Sequence, residues 1–541
     1  MKNIFLILLI IVSKLFSQFG SQDSGGKLIP EQKCYDVKFY DLNLEIDTNK
    51  KAIAGYVIIN AKAENNFSKI VVDLDTTFSI SEILLLEKAK QSELKFSHTK
   101  GKIWIDFPYQ IKKDEMFSIK INYAGVPRIA KRPPWDDGFI WTKTKENKNW
   151  ITLTCQGGGA DIWFPCKDHP SDEPDSASIN FTVPSDLVCV SSGKLISKVN
   201  NNNGTTTWHW FSSTPINNYN IMLYLGPYIP IEYDYTSITG EKIPFTVWVL
   251  PESFEKAKEH SKQFLLHMKI NEELVGPYPF RIDKYSEVET PHLGMEHQTA
   301  IAYGAGWKNH KDFPFDWLHH HEFSHEWWGN LVTCKDWSDF WIHEGTGTYM
   351  QPLYLEKVFG KEMYMGYLKS IKKFSNKQPV APRGEKTSGE VYNLDIYYKG
   401  AWILHTLRNY LGDETFFKIF RRWAYPTKEM EKIKTGAQCR NATTDEFLEI
   451  AENISHKKLD WFWEVYFRTS SLPKLHYKKV NKENIFWWET ENNLSFDLPI
   501  EIKADNKIFT IEMQNNKGFF NFADEIKINP EEKILMEIIK E

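Results

Sequence analysis

From Lys38 to about Tyr228 the chain keeps one habit, short runs in which every second residue is apolar, and after Val249 it drops it. Leu42-x-Leu44-x-Ile46, Tyr56-Val57-Ile58-Ile59, Ile70-Val71-Val72, Ile103-x-Ile105 and Ile119-x-Ile121 begin the series. Phe181-x-Val183, Leu187-x-Cys189-Val190 and Trp208-x-Trp210 continue it, broken by the polar turn Asn201-Asn202-Asn203-Gly204. Successive side chains of a strand point to opposite faces, so this spacing predicts half-buried strands joined by turns, in a sandwich or an open sheet assembly. Residues 30–232 therefore read as an all-β domain. Past Phe245-x-Val247-x-Val249, Pro251-Glu252 opens a stretch of helical period through Leu265, Leu266 and Met268 to about Val275. Helix-period segments recur near 317–333, 345–358, 395–411 and 444–467, which makes 233–470 a mainly helical α+β domain. Strand patterns return in Ile485-Phe486-Trp487-Trp488, Ile500-x-Ile502 and Phe509-x-Ile511, so 471–541 reads as a small C-terminal β domain. A multidomain chain suits 541 residues, because a single hydrophobic core stops growing well below that length.

The N-terminus stands apart. Met1-Lys2-Asn3 leads into the apolar run Ile4 to Val12, and Lys14 interrupts it well short of the roughly 20 residues that a spanning helix needs. Residues 1–18 therefore read as a signal peptide, which predicts an exported protein, periplasmic or secreted, with no stable membrane insertion of the mature chain. The six cysteines, Cys34, Cys155, Cys166, Cys189, Cys334 and Cys439, are scattered and none has CxxC spacing, so buried free thiols are expected rather than a disulfide framework or a cysteine metal site. A net charge of −5 with no long basic run argues against nucleic acid as a partner.

The chemistry is concentrated in His321-Glu322-Phe323-Ser324-His325. Two histidines four apart lie on one helix face and can point both imidazoles at a single metal ion. Glu322 is then close enough to take a proton from metal-activated water without occupying a ligand position, the place of a general base. His319 and His320 are turned away from the ligand face and read as structural or exposed. Catalytic zinc usually takes three protein side chains and leaves a fourth position open. Glu344 is the candidate third ligand, in Trp341-Ile342-His343-Glu344-Gly345, supplied by the next helix packed on the first, with His343 facing elsewhere.

These residues resemble the aminopeptidase N-like family of zinc metallopeptidases, family M1 of the gluzincin type, whose motif reads HExxH, 18 residues, Glu. Glu326-Trp327-Trp328-Gly329-Asn330-Leu331-Val332-Thr333 is similar to the family's continuation, and so is Asp339-x-Trp341-x-x-Glu344-Gly345. The resemblance implies one zinc ion held by His321, His325 and Glu344, a thermolysin-like catalytic domain, and peptide substrates shortened from a free amino end. Gly294-Met295-Glu296-His297 resembles the GxMEN signature, which implies that Glu296 binds the substrate ammonium in a segment that begins at Gly294, although His297 replaces the usual Asn. Thr154-Cys155-Gln156 resembles the family segment that supplies a second amine anchor, here Gln156. Gly157 to Gly159, which follow it, suit either close backbone approach to a ligand or a plain tight turn. Tyr397-Tyr398-Lys399-Gly400 resembles the segment carrying the oxyanion stabiliser, which assigns that part to Tyr397 and turns Tyr398 away. The resemblance spans about residues 35–470 and leaves too few residues for the long helical roof of larger members, so a more open site is expected.

Overall fold

The alternation becomes burial along the first strand, Tyr35–Asp47, where Tyr35, Val37, Tyr40, Leu42, Leu44 and Ile46 turn inward. Its period slips once between Val37 and Tyr40, where pairing with Ala52–Ala63 is irregular, as at a β-bulge. The computed structural model describes residues 23–87, 90–521 and 525–541; residues 1–18, read above as a signal peptide, lie outside the described residues. Among the described residues no helix is long and apolar enough to cross a membrane.

The N-terminal domain is all β. Its eight-stranded sheet runs Lys194–Asn200, Thr205–Ser212, Ser176–Pro184, Tyr35–Asp47, Ala52–Ala63, Met116–Gly125, Phe78–Glu87, Lys90–Glu93, antiparallel except where Tyr35–Asp47 lies parallel to Ser176–Pro184. A three-stranded sheet containing Phe67–Asp73 packs on it: the Phe67 and Phe117 rings meet edge to face at 5.3 Å, and Tyr35 Oη donates to Val71 O at 2.7 Å. Burying these aromatic and branched side chains drives the two sheets together, at ~25 cal/mol per Å² of apolar surface. A four-stranded sheet includes Asn149–Thr154 and so delivers the chain to Gln156.

Ile229–Thr236 crosses the boundary expected at residue 232 and pairs with Lys242–Val249, so the second domain's sheet already includes it. That five-stranded sheet continues through Tyr285–Glu289 and Ile301–Tyr303, all parallel to Lys242–Val249, and ends in the short antiparallel edge Gly294–Met295. Helices α1 (Lys262–Val275), α2 (Trp317–Ser324), α3 (Trp341–Phe359), α4 (Lys361–Ser370) and α5 (Leu394–Leu411) carry the rest of the site. Asp316 caps α2, its Oδ1 accepting from His319 N at 3.1 Å.

The helix expected over 317–333 stops at Ser324. Gly329 takes φ 144°, and the turn between buries two consecutive indoles in different places. Trp327 Nε1 donates to Gly276 O at 3.1 Å, while Trp328 packs on Phe420 and Trp423.

The C-terminal β domain docks through Leu535, whose N–H donates to Thr406 Oγ1 of α5 at 3.0 Å and whose carbonyl accepts from Tyr466 Oη of the helix Asp460–Tyr466 at 3.0 Å. All six cysteines are unpaired and five are buried.

Candidate active site

α2 and α3 bring the three candidate ligands together. His321 sits in the last turn of α2 and His325 directly after it, still helical at φ −67° and ψ −15°, so the four-residue spacing survives the end of the helix. His325 Nε2 lies 3.3 Å from His321 Nε2, and each lies 3.5 Å from Glu344 Oε2. Ligand atoms about 2.0–2.1 Å from a tetrahedral zinc stand about 3.3 Å apart, so this triangle fits the ion. The donor set fits too. His325 Nδ1 bonds Trp328 O at 2.8 Å, which places the proton on Nδ1 and frees Nε2. Burial pushes His321 down to about 4, keeping its imidazole neutral, and pushes Glu344 up to about 8. Among the described residues this is the one group of three such side chains with ligand atoms within 4.8 Å of one another.

Around it opens a cavity of about 560 Å³ that includes Gln156, Gly294, Glu296, Glu322 and Tyr397, and its lining residues run from Pro134 to Tyr398. The C-terminal β domain thus contributes none of the described lining. Glu322 is held up by burial first, then by the carboxylates of Glu296 and Glu344. Gly294 makes room for it: a Cβ there would stand 2.5 Å from Glu322 Oε1.

Glu296 Oε1 accepts from Gln156 Nε2 and from Tyr219 Oη, the latter at 2.9 Å. Its segment is fixed from the zinc-motif side. Asn330 Nδ2 donates to Glu296 O at 3.0 Å, and Thr299 N, at φ 61°, donates to Glu326 Oε1 at 2.8 Å. His297, in the place of the family's Asn, bonds Tyr224 Oη through Nδ1 and is fully buried. Tyr397 Oη donates to Tyr392 Oη at 3.2 Å, and its ring lies 6.0 Å from that of His321. Tyr398, expected to face away, also lines the cavity, which extends along the first turn of α5 beyond Tyr397.

The neighbouring histidines stay out of the site. His319 is buried between His267 and Tyr285, at 2.9 and 2.8 Å, and the ring nitrogens of the buried His320 have no hydrogen-bond partner among the described residues. His343 Nε2 accepts from Cys334 N at 2.9 Å. Tyr219 and Tyr392 escaped the sequence reading, because neither belongs to a local pattern that marks it.

The crossing of α3 and α5 sets the distance between Glu344 and Tyr397. A Cβ on Gly400 would stand 2.9 Å from Gly345 Cα, and one on Gly345 would stand 2.7 Å from Ile396 O, so only glycines let the two helices approach this closely. Gly345→Ala is expected to cost about 1–3 kcal/mol, as overpacking does. Urea unfolding should show a lower midpoint and a metal titration weaker zinc binding; an unchanged midpoint would mean the helices part freely.

The comparisons with known proteins agree with this geometry. A family model described as the peptidase M1 N-terminal domain matches residues 37–219, and one described as the peptidase family M1 domain matches residues 314–466. Leucine aminopeptidase 2 of Vanderwaltozyma polyspora is 24% identical over 94% of this chain and 79% of its own length. Transcription initiation factor TFIID subunit 2 of Drosophila melanogaster is 20% identical over 76% of this chain and 37% of its own length. The solved M1 zinc metallopeptidase from Deinococcus radiodurans superposes with a TM-score of 0.65 at 21% identity, covering 81% of this chain and 94% of that one, and so shares the fold. With both family domains present in order and a closed His–His–Glu set between α2 and α3, the chain belongs to peptidase family M1 and is an enzyme of its zinc aminopeptidase class.

Proposed function

We propose that the enzyme removes the N-terminal residue of peptides, with Glu296 and Gln156 as the amine anchor, Glu322 as the general base and Tyr397 as the oxyanion donor. One observation carries this reading: Glu296, bonded by Gln156 and Tyr219, shares a cavity with the three ligands. A carboxylate fixed there attracts a free α-ammonium and thereby sets which peptide bond reaches the reacting position. His321, His325 and Glu344 would hold a zinc ion, which would supply Lewis acidity toward the scissile carbonyl and the attacking water. Glu322 takes the proton of that water and returns it to the leaving amine, which makes it base and then acid. Tyr397 reaches over the ligand set from α5 and donates its phenol hydrogen to the oxygen that becomes negative as the carbonyl turns tetrahedral. In the structure that hydrogen goes to Tyr392 Oη, so Tyr397 turns it from Tyr392 to the oxyanion during the reaction.

The test uses one short peptide with a free and with an acetylated N-terminus, with and without a zinc chelator, read by mass spectrometry. Stepwise loss from the free form alone, abolished by the chelator, is expected. Internal cleavage of both forms would make the enzyme an endopeptidase and strip Glu296 of its part. In the same assay Glu296→Ala is expected to lower kcat/KM by about 10²-fold, the scale of a lost charge-assisted contact. We also propose export of the mature chain, on the strength of residues 1–18; N-terminal sequencing of the secreted or periplasmic protein tests it, and recovery of the full-length chain from the cytoplasm alone would overturn it.

A further inference from the structure

The glycine run after Gln156 is occupied by a side chain of the protein itself. Gly158 N donates to Asp137 Oδ2 at 2.5 Å, and the Gly157 amide also bonds this carboxylate. A Cβ on Gly158 would stand 3.0 Å from the same oxygen and 3.3 Å from Asp137 Cβ, so glycine lets the main chain close around the acid. Asp137 is thereby seated on the residues that directly follow Gln156, and it lines the same cavity. Its neighbour Asp136 is used differently, accepting from the main-chain amides of Lys131, at 2.8 Å, and Arg132 in its own loop. Arg128, whose field reaches Asp137, bonds Asp75 through Nε at 2.9 Å. Burial pushes the Asp137 carboxyl up to about 7, the mark of a carboxylate that lacks enough compensating charge.

Its place in the cavity matters more than its acidity. In a peptide whose ammonium rests on Glu296 and whose first carbonyl lies at the ligand set, the α-carbon is one bond from each. The first side chain therefore leaves from between them into the cavity that Gln156 and Asp137 both line. Pro134, Trp135 and Gly157 line that cavity as well. A carboxylate pinned by main-chain amides, in a cavity that an indole also lines, suits a guanidinium or a lysine ammonium, which pairs its charge with the acid and can rest on an aromatic face.

We propose that Asp137 is a specificity-determining residue that selects peptides whose N-terminal residue is cationic, arginine or lysine. The proposal rests on the aminopeptidase reading and deepens it. Three peptides identical after the first residue, which is arginine, citrulline or leucine, separate the two. Citrulline keeps the shape of arginine and removes its charge. In the parent enzyme kcat/KM should favour arginine over citrulline by at least about tenfold, and Asp137→Asn should bring that ratio to about one. The ratio is measured within one protein, so a general loss of activity does not mimic the effect. Should Asp137→Asn fail to fold, inhibition of leucyl-peptide cleavage in the parent decides, argininamide being expected to inhibit at least about tenfold better than citrulline amide. Cleavage of all three peptides at equal rates, a variant that keeps the parent's ratio, or equal inhibition by the two amides would overturn the selection and leave the aminopeptidase reading standing. Cleavage of none of the free-amine peptides would overturn both.

Discussion

Glu322→Gln is expected to lower kcat by about 10²–10⁴-fold, the usual contribution of a positioned base, while the protein still binds one zinc per chain. Glutamine keeps the outline of the side chain, and that outline is what the missing Cβ of Gly294 accommodates. What it loses is the ability to accept the proton of the attacking water. The ligand triangle of His321, His325 and Glu344 does not include Glu322, so metal content after dialysis should match the parent. Folding should not suffer either, because burial and the nearby Glu296 and Glu344 already disfavour a charge on Glu322, and a neutral amide meets neither penalty. Steady-state kinetics on a free-amine peptide, with metal analysis of the same sample, check this. Turnover within tenfold of the parent would remove Glu322 from the proton path.

His325→Ala is expected to abolish both zinc and activity. His325 is 1% exposed and supplies one corner of the triangle, its ring fixed by the bond from Nδ1 to Trp328 O. Losing only such a supporting partner typically weakens metal binding about 10–100-fold; losing the ligand itself should exceed that and leave two side chains where catalytic zinc usually has three. The two variants therefore differ in kind, the first inactive with metal and the second inactive without it. Retention of stoichiometric zinc after dialysis by His325→Ala would place the ion elsewhere.

Much of this was legible in the sequence because its signals are local. Strand alternation needs only neighbours along the chain, and His321, Glu322 and His325 lie within one and a half turns of a single helix. Glu344 could be named because α3 packs directly on α2. Other parts depend on distant segments. Tyr219 reaches Glu296 across 77 residues, with nothing around it to mark it. The glycines at 157 to 159 allow two readings in the sequence, since only the tertiary arrangement shows what fills the space that a missing Cβ leaves: Asp137 at Gly158, and Asp168 and Asp161 at Gly159. The end of α2 at Ser324 was hidden by the apolar pattern, which continues through Trp327 and Trp328 because a buried turn is as apolar as a buried helix. The boundary at 232 fell inside a strand for a similar reason, as alternation reads the same in either domain's sheet.

The contact between Gly345 and Gly400 also bears on how this chain can evolve. Most packed pairs can drift, one partner shrinking as the other grows, so that a harmful change is rescued by its neighbour. Here both partners are already at the minimum size, and the near atoms are main-chain ones that no substitution can trim. Neither position has a compensating mutation available to it. A library that varies the two together should return glycine at both among active clones, however permissive the surrounding positions of α3 and α5 turn out to be.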